Sequence, residues 1–285
     1  MIPVGELTAR VEELAAIPAE RPLPADAGEV VAALLDALEA GTVRAAAVDG
    51  NGAWRAERWV KRGILLAFRA GRIIEMSPPD GLLSFVDKHT IPARRFVAAD
   101  GVRIVPGGSS VRRGAYVAPG VVCMPPMFIN VGAWVGAGTM VDSHALIGSC
   151  AQVGQRVHVS AAAQIGGVLE PINAAPVVVE DDVLVGGNCG VYEGTIVRAR
   201  AVLAPGVILT RGTPVYDLVR QTVYRAGDAT PLVIPEGAVV VPGAREVRAE
   251  WGGSAGERLS LQTPVIVKYR DERTDTATAL ERWLR

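Results

Sequence analysis

A parallel β-helix of hexapeptide repeats is the fold this sequence predicts, and three observations predict it. Small or aliphatic residues recur every six places from Val105 through Val111, Val117, Cys123, Ile129, Val135, Val141, Ile147, Val153 and Val159 to Ile165. The step resumes at Val179 and runs through Val185, Val191, Val197 and Leu203 to Leu209. The place after each is often small or polar (Gly136, Asp142, Gly148, Gly154, Gly166, Gly186), and three places later comes a second small or apolar residue, such as Ala145, Ala151 or Ala163. Neither a helix nor an alternating strand produces a strict step of six. A triangular coil of three hexads per turn does, with the aliphatic pointing into a narrow prism. Nearly six such coils, stacked at about 4.8 Å, make a prism roughly 27 Å long.

The register slips once. Between Ile165 and Val179 the chain carries eight residues more than one hexad, placed at about 169–176 (Leu-Glu-Pro-Ile-Asn-Ala-Ala-Pro). They read as a loop leaving a corner of the prism, either to cover a partner or substrate or as a tolerated surface insertion.

At 285 residues the chain is long enough for a large core and more than one domain. A formal charge of −1 gives no reason to expect nucleic acid as a partner. No apolar run is long enough for a membrane span, and Glu6, Glu12 and Glu13 stand where a signal peptide needs an apolar core. A cytoplasmic protein with no membrane partner is the expectation. Cys123, Cys150 and Cys189 are widely spaced, and Cys123 and Cys189 fall on inward positions, which suits small core residues rather than disulfides.

The chain divides into residues 1–102, an N-terminal α/β cap; 103–215, the prism; and 216–285, a small C-terminal β cap. Leu7, Val11, Leu14 and Ile17 share a helical face over 6–17, closed by Pro18. Asp26 is a candidate N-cap for a second helix carrying Val30, Leu34, Leu35 and Leu38 and stopping at Gly41. Residues 43–48 read as a strand, Asp49 to Gly52 as a turn into a short run ending at Trp59, and 60–69 as a third helix. Short strands are expected over 215–241, another over 263–269, and a terminal helix over 276–285. The open ends of a β-helix present unpaired strand edges, so caps are physically required.

Chemistry-bearing residues are few. His89, His144 and His158 are the histidines available for a zinc site of the kind found in β-helical carbonic anhydrases. His144 and His158 lie fourteen residues apart, not one coil of eighteen, so the spacing does not stack them, and no metal or prosthetic group is expected. His158 reads as a structural hydrogen-bonding residue. Cys150 offers a conceivable acyl-enzyme nucleophile with no partnered base in sight. Asp142 is a carboxylate where most hexads have a small residue, either a functional acid or a turn-forming surface aspartate.

Longer segments carry a more specific likeness. Gly101-Val-Arg-Ile-Val-Pro106, Val111 to Pro119, Gly138-Thr-Met-Val-Asp-Ser143, Ile147-Gly-Ser-Cys-Ala-Gln152, Val157-His-Val-Ser160 and Ile165-Gly-Gly-Val-Leu-Glu-Pro171 resemble the tetrahydrodipicolinate N-succinyltransferase family. The likeness continues upstream at Trp59 to Arg69 and downstream at Pro264-Val-Ile-Val-Lys268, so it covers most of the chain. The resemblance implies a left-handed β-helix and a homotrimer. It also implies succinyl transfer from succinyl-CoA, as co-substrate, to the amino group of a ring-opened dicarboxylate acceptor in lysine and diaminopimelate biosynthesis. N-acetyl transfer from acetyl-CoA is the close alternative, and a β-helical binding protein without catalysis a more distant one.

By the same resemblance Arg103 matches the family arginine that binds the acceptor, and Asp142 the aspartate that contacts its amino group. The chemistry agrees: a guanidinium fork suits a carboxylate, and an amine must lose a proton to attack a thioester. In one place the chain departs from the pattern, with Gly190 where some members carry a glutamate proposed as a second acid/base group. Either Asp142 then acts with water or another acid substitutes; Glu193, on a different side of the strand, and Glu170, at the start of the excursion, are not assigned to that role. For acyl-CoA, Gly166, Gly167, Gly187 and Ala204 are candidates because small residues let a pantetheine arm approach backbone; they read equally as corner residues. Arg198, Arg200 and Arg211 are candidates for the nucleotide phosphates.

Overall fold

The step of six closes into three parallel ladders. In the computed structural model, which describes residues 2–77, 84–172, 174–228, 230–247 and 259–271, each hexad contributes one two-residue strand. The first face stacks strands beginning at Arg103, Val122, Met140, His158, Leu184 and Val202, and continues into the strand Ala238–Glu246. The second face stacks strands beginning at Ser110, Phe128, Leu146, Gln164, Gly190 and Ile208. The third stacks Tyr116, Trp134, Gln152, Val178, Ile196 and Val233. The ladders therefore take in chain beyond Leu209, because Val233–Ile234 and Val239–Val240 extend two of them.

The aliphatic of each hexad fills the prism. Ile129, Val135, Val141, Ile147, Val153, Val159 and Ile165 are fully buried in one continuous core. Between strands the chain turns through a left-handed residue three places after each inward aliphatic: Gly132, Gly138, His144, Cys150, Arg156 and Ala162 all have positive φ. That turn sets the corner and so the step of six.

Three helices form a second core on one edge of the prism. In α1 (Val4–Ala15), Leu7, Val11 and Leu14 are buried; α1 stops short of Pro18, and Ile17 packs beyond its end. In α2 (Ala27–Glu39), Asp26 takes the N-cap position but ion-pairs with Arg10 instead of capping, and the chain leaves the helix through Gly41 at φ +73°. A Cβ at Gly41 would lie 2.7 Å from the Tyr116 ring, so glycine serves both the reversal and the approach to the prism. In α3 (Arg58–Ala70), Val60, Ile64 and Ala67 face inward. Val131 and Cys150 of the prism join this core, which seats the helices on the edge between the second and third faces. Beside them β1 (Ala46–Val48) and β2 (Trp54–Ala56) form a hairpin whose turn is held by Asp49 Oδ1, accepting from the Asn51 and Ala53 amides.

The eight-residue slip is the excursion between Gln164–Ile165 and Val178–Val179. It is tied down by Lys61 of α3, a fully buried lysine whose Nζ donates to the Ala174 carbonyl at 2.5 Å and the Ile172 carbonyl at 3.5 Å. At the far end Ala238–Glu246 pairs antiparallel with Ser260–Tyr269, a longer strand than the 263–269 read from sequence. The helix expected over 276–285 lies outside the described residues.

Candidate active site

Asp142 stands on the edge between the first and second faces, immediately after the strand Met140–Val141. Its backbone amide donates to the Val159 carbonyl at 2.9 Å, and its Oδ1 accepts from the Ser143 amide at 2.7 Å. Oδ2 remains turned to the next coil, where His158 Nε2 lies 3.8 Å away. The Met140 to His158 register sets this pair: one coil brings the imidazole beside Met140 on the outer surface, within reach of the carboxylate. The Asp142 side chain is 31% exposed and that of His158 18%, with the His158 Nε2 that faces Asp142 itself shielded from solvent.

Arg103 opens the first-face ladder. Its strand pairs with Val122, which pairs with Met140, so Arg103 and Asp142 share a face about 10 Å apart along the stack. An arginine side chain and a small dicarboxylate together span that distance. The structure thus collects on one surface a guanidinium, a carboxylate and an imidazole.

The four candidates for acyl-CoA divide between two edges. Gly187 and Ala204 follow the first-face strands Leu184–Val185 and Val202–Leu203, on the same edge as Asp142. Gly166 and Gly167 follow Gln164–Ile165, on the edge between the second and third faces. Gly167 already has a packing reason to be glycine, since a Cβ there would lie 2.4 Å from the Ser149 amide nitrogen. Arg198 and Arg211 are engaged within the chain: Arg198 donates to Glu180 at 2.6 Å, and Arg211 donates to the Gly227 and Asp228 carbonyls.

Gly190 faces outward on the second face, and the space above it is filled by a neighbour. A Cβ on Gly190 would meet Tyr192 Cε2 at 2.4 Å and Ile208 Cδ1 at 3.0 Å. The tyrosine ring lies where a longer side chain at 190 would project. Glu193 accepts from the Arg211 amide at 2.7 Å and is not directed at this space.

Cys150 is unsuited to form an acyl-enzyme. It is fully buried in the helix-facing core, and burial pushes its thiol up to about 12, with Lys61 offsetting this only in part. Cys123 is likewise buried and pushed up to about 12. The histidines are dispersed: His89 Nδ1 accepts from the Arg72 amide in a separate hairpin, and His144 is an exposed corner residue. Among the described residues no three His, Cys, Asp or Glu side chains converge as metal ligands.

A prism of hexapeptide coils, a helical domain on one edge and an aspartate–histidine pair on an open face define a hexapeptide-repeat protein of the acyltransferase type. The family models agree at both ends. Residues 8–70 match the tetrahydrodipicolinate N-succinyltransferase N-terminal model, and residues 176–211 match the hexapeptide repeat of succinyl-transferase. Curated 2,3,4,5-tetrahydropyridine-2,6-dicarboxylate N-succinyltransferases are similar along nearly the whole chain. The Polynucleobacter asymbioticus protein is 40% identical over 269 residues, covering 92% of this chain and 91% of its own. Those of Rhodopseudomonas palustris and Paramagnetospirillum magneticum are 42% and 43% identical over 264 residues, each alignment covering 90% of this chain and 89% of the relative. The chain belongs to the tetrahydrodipicolinate N-succinyltransferase family.

Proposed function

We propose that this protein transfers the succinyl group of succinyl-CoA to the amino nitrogen of ring-opened 2,3,4,5-tetrahydropyridine-2,6-dicarboxylate, a step of lysine and diaminopimelate biosynthesis. The observation that carries this reading is the likeness at 40–43% identity over about nine-tenths of both chains, which includes the prism, the helices and the excursion between coils. No metal or prosthetic group takes part in the proposed reaction.

Asp142 and Arg103 are the residues we assign to the acceptor. A free amine with a pKa near 10 is mostly protonated at neutral pH and cannot attack a thioester in that form. Asp142 takes the ammonium proton, with His158 beside it to hold the carboxylate oriented or to pass the proton onward. The freed nitrogen lone pair forms the C–N bond, the C–S bond breaks, and the leaving thiolate of CoA takes up a proton. Arg103 holds a carboxylate of the acceptor bidentately, and Gly187 and Ala204, on the edge Asp142 occupies, are placed to flank the pantetheine arm. Gly166 and Gly167 can serve only a donor that also reaches the other edge.

A homotrimer in the cytoplasm completes the reading. Phe128 and Leu146 stand outward, adjacent and half-buried on the second face, with Ile208 two coils beyond Gln164, and a neighbouring prism would cover this apolar surface. Thiol release measured with the dicarboxylate and either succinyl-CoA or acetyl-CoA tests the activity: turnover with succinyl-CoA is expected, preference for acetyl-CoA would reassign the donor, and turnover with neither would remove the enzyme reading. Light scattering tests the assembly, where a stable, active monomer of about 30 kDa would exclude the trimer.

A further inference from the structure

A cavity of about 490 Å³ opens on the opposite border of the first face, between the outer surface of the third face and the β1–β2 hairpin. Its walls are aromatic. Tyr116 and Trp134 stack with ring centroids 3.9 Å apart, and Trp54 is fixed by its indole N–H donating to Glu180 at 2.9 Å. Arg44 lies among them, its guanidinium carbon 4.0 Å from the Trp134 centroid and 5.4 Å from that of Trp54.

Arg44, which leads from α2 into β1, differs from four arginines of the prism. Arg112, Arg113, Arg156 and Arg198 each ion-pair with an aspartate or glutamate. Arg44 instead makes one hydrogen bond among the described residues, from Nε to Gln152 Oε1 at 3.0 Å, and has no carboxylate within ion-pair distance there. Gln152 is buried and held in turn, donating to the Cys150 carbonyl at 2.9 Å, so the guanidinium is aimed rather than mobile. Burial lowers the arginine to about 10, which leaves it a cation at neutral pH, with Asp181 and Tyr116 only partly offsetting the loss of water. A desolvated cation with no carboxylate in ion-pair contact is costly, and an anion brought into the cavity would relieve that cost. At the rim stands Asp181, half-exposed, which accepts from the Gln155 amide at 2.9 Å and lies 3.8 Å from Arg156.

We propose that this cavity binds a small amino acid with an apolar or aromatic side chain, its carboxylate on the Arg44 fork, its ammonium on Asp181 and its side chain against Trp54 and Tyr116. The cavity sits on the border of the first and third faces, whereas Asp142 sits on the border of the first and second. A ligand here does not compete for the acceptor site. Trp54 and Trp134 line the cavity, so their fluorescence reports occupancy without any assay of turnover, and the outcome is independent of which acyl group the enzyme transfers.

The test titrates the full-length protein with L-phenylalanine, phenylacetate and phenethylamine, following tryptophan fluorescence and calorimetric heat. Saturable binding of L-phenylalanine is expected, with both single-charge analogues at least tenfold weaker. Arg44→Met should weaken L-phenylalanine tenfold or more. Asp181→Asn, at a half-exposed position and with an oxygen still able to accept from the Gln155 amide, should weaken L-phenylalanine and leave phenylacetate unchanged. Melting curves identify any Arg44→Met folding defect, in which case the Asp181→Asn comparison decides alone. Absence of saturable L-phenylalanine binding would overturn the site. Phenylacetate binding as tightly as L-phenylalanine would overturn the amino-acid assignment, as would Asp181→Asn leaving both affinities unchanged.

Discussion

His158 Nε2 lies 3.8 Å from Asp142 Oδ2, across two successive coils of one ladder. A carboxylate that must take a proton from an ammonium works best when its orientation is fixed and the proton has somewhere to go, and an adjacent imidazole can provide both. Asp142→Asn is nearly isosteric and keeps an acceptor for the Ser143 amide, so the fold should persist while turnover falls on the order of 10²-fold. His158→Gln should cost less, because the carboxylate remains. If the two act as one unit, the double variant should be no slower than Asp142→Asn alone. Measured kcat values for the two singles and the double decide this; multiplicative losses would mean that the residues act separately.

The prism is legible in the sequence because every inward site admits only a side chain that fits a narrow triangular core. Ile129, Val135, Val141 and Ile147 therefore keep their step without regard to function. The Asp142–His158 pair is hidden by the same periodicity. Reading histidine against histidine gives fourteen residues and no stacking, whereas reading aspartate against histidine gives sixteen, two short of a coil, and corner residues bridge that shortfall. Lys61 gives no local sign of its role. It lies between buried Val60 and Ile64 on α3, and its carbonyl partners at Ile172 and Ala174 are more than a hundred residues away. The unpaired state of Arg44 is equally invisible, since it depends on which carboxylates the fold leaves out of reach.

Arg103 should set affinity for the acceptor and not for the donor. Arg103→Lys keeps the charge but loses the planar fork, weakening a bidentate carboxylate contact by roughly 1.5–3 kcal/mol. The Michaelis constant for the dicarboxylate should rise, with that for succinyl-CoA little changed and the melting temperature unmoved. A rise confined to succinyl-CoA would place the donor, not the acceptor, at this end of the first face.

Gly190 and Tyr192 should be coupled in stability. Gly190 lies within a strand, so alanine brings no backbone penalty; its cost is the contact of the new Cβ with the tyrosine ring and Ile208. Gly190→Ala should destabilise by about 1–3 kcal/mol, as overpacking does. In a Tyr192→Ala background the same substitution should cost far less. Denaturant midpoints for the four proteins of this cycle measure the coupling, and a Gly190→Ala penalty that is unchanged without the ring would show that Ile208 alone sets it.

Asp217 should make stability depend on acid pH. It is 2% exposed at the C-terminal end of the fold, and burial alone would raise its pKa. Four donors outweigh that burial: the Tyr269 hydroxyl at 2.6 Å, the Val219 and Arg220 amides at 2.9 Å each, and the Tyr224 hydroxyl at 3.4 Å. The carboxyl is thus held below the usual carboxylate range. A pKa lower in the folded than in the unfolded chain means that the unfolded chain binds the extra proton, so stability rises with pH in that window. The contribution is complete above the unfolded value of about 3.9 and is lost as pH falls through the lower folded value. Asp217→Asn removes the titration and leaves one of the buried donors poorly matched, so it should be less stable than the native protein at pH 7 by roughly 1–3 kcal/mol. That gap should narrow as pH falls below about 3.9, because the unfolded native sequence then takes up a proton on Asp217 that the folded state still excludes, whereas Asp217→Asn has no such proton to bind. Denaturant midpoints at pH 7, 5 and 3 read the trend directly, and a gap that stays constant to pH 3 would mean that the cluster stabilises the fold through its shape and not through the carboxylate charge.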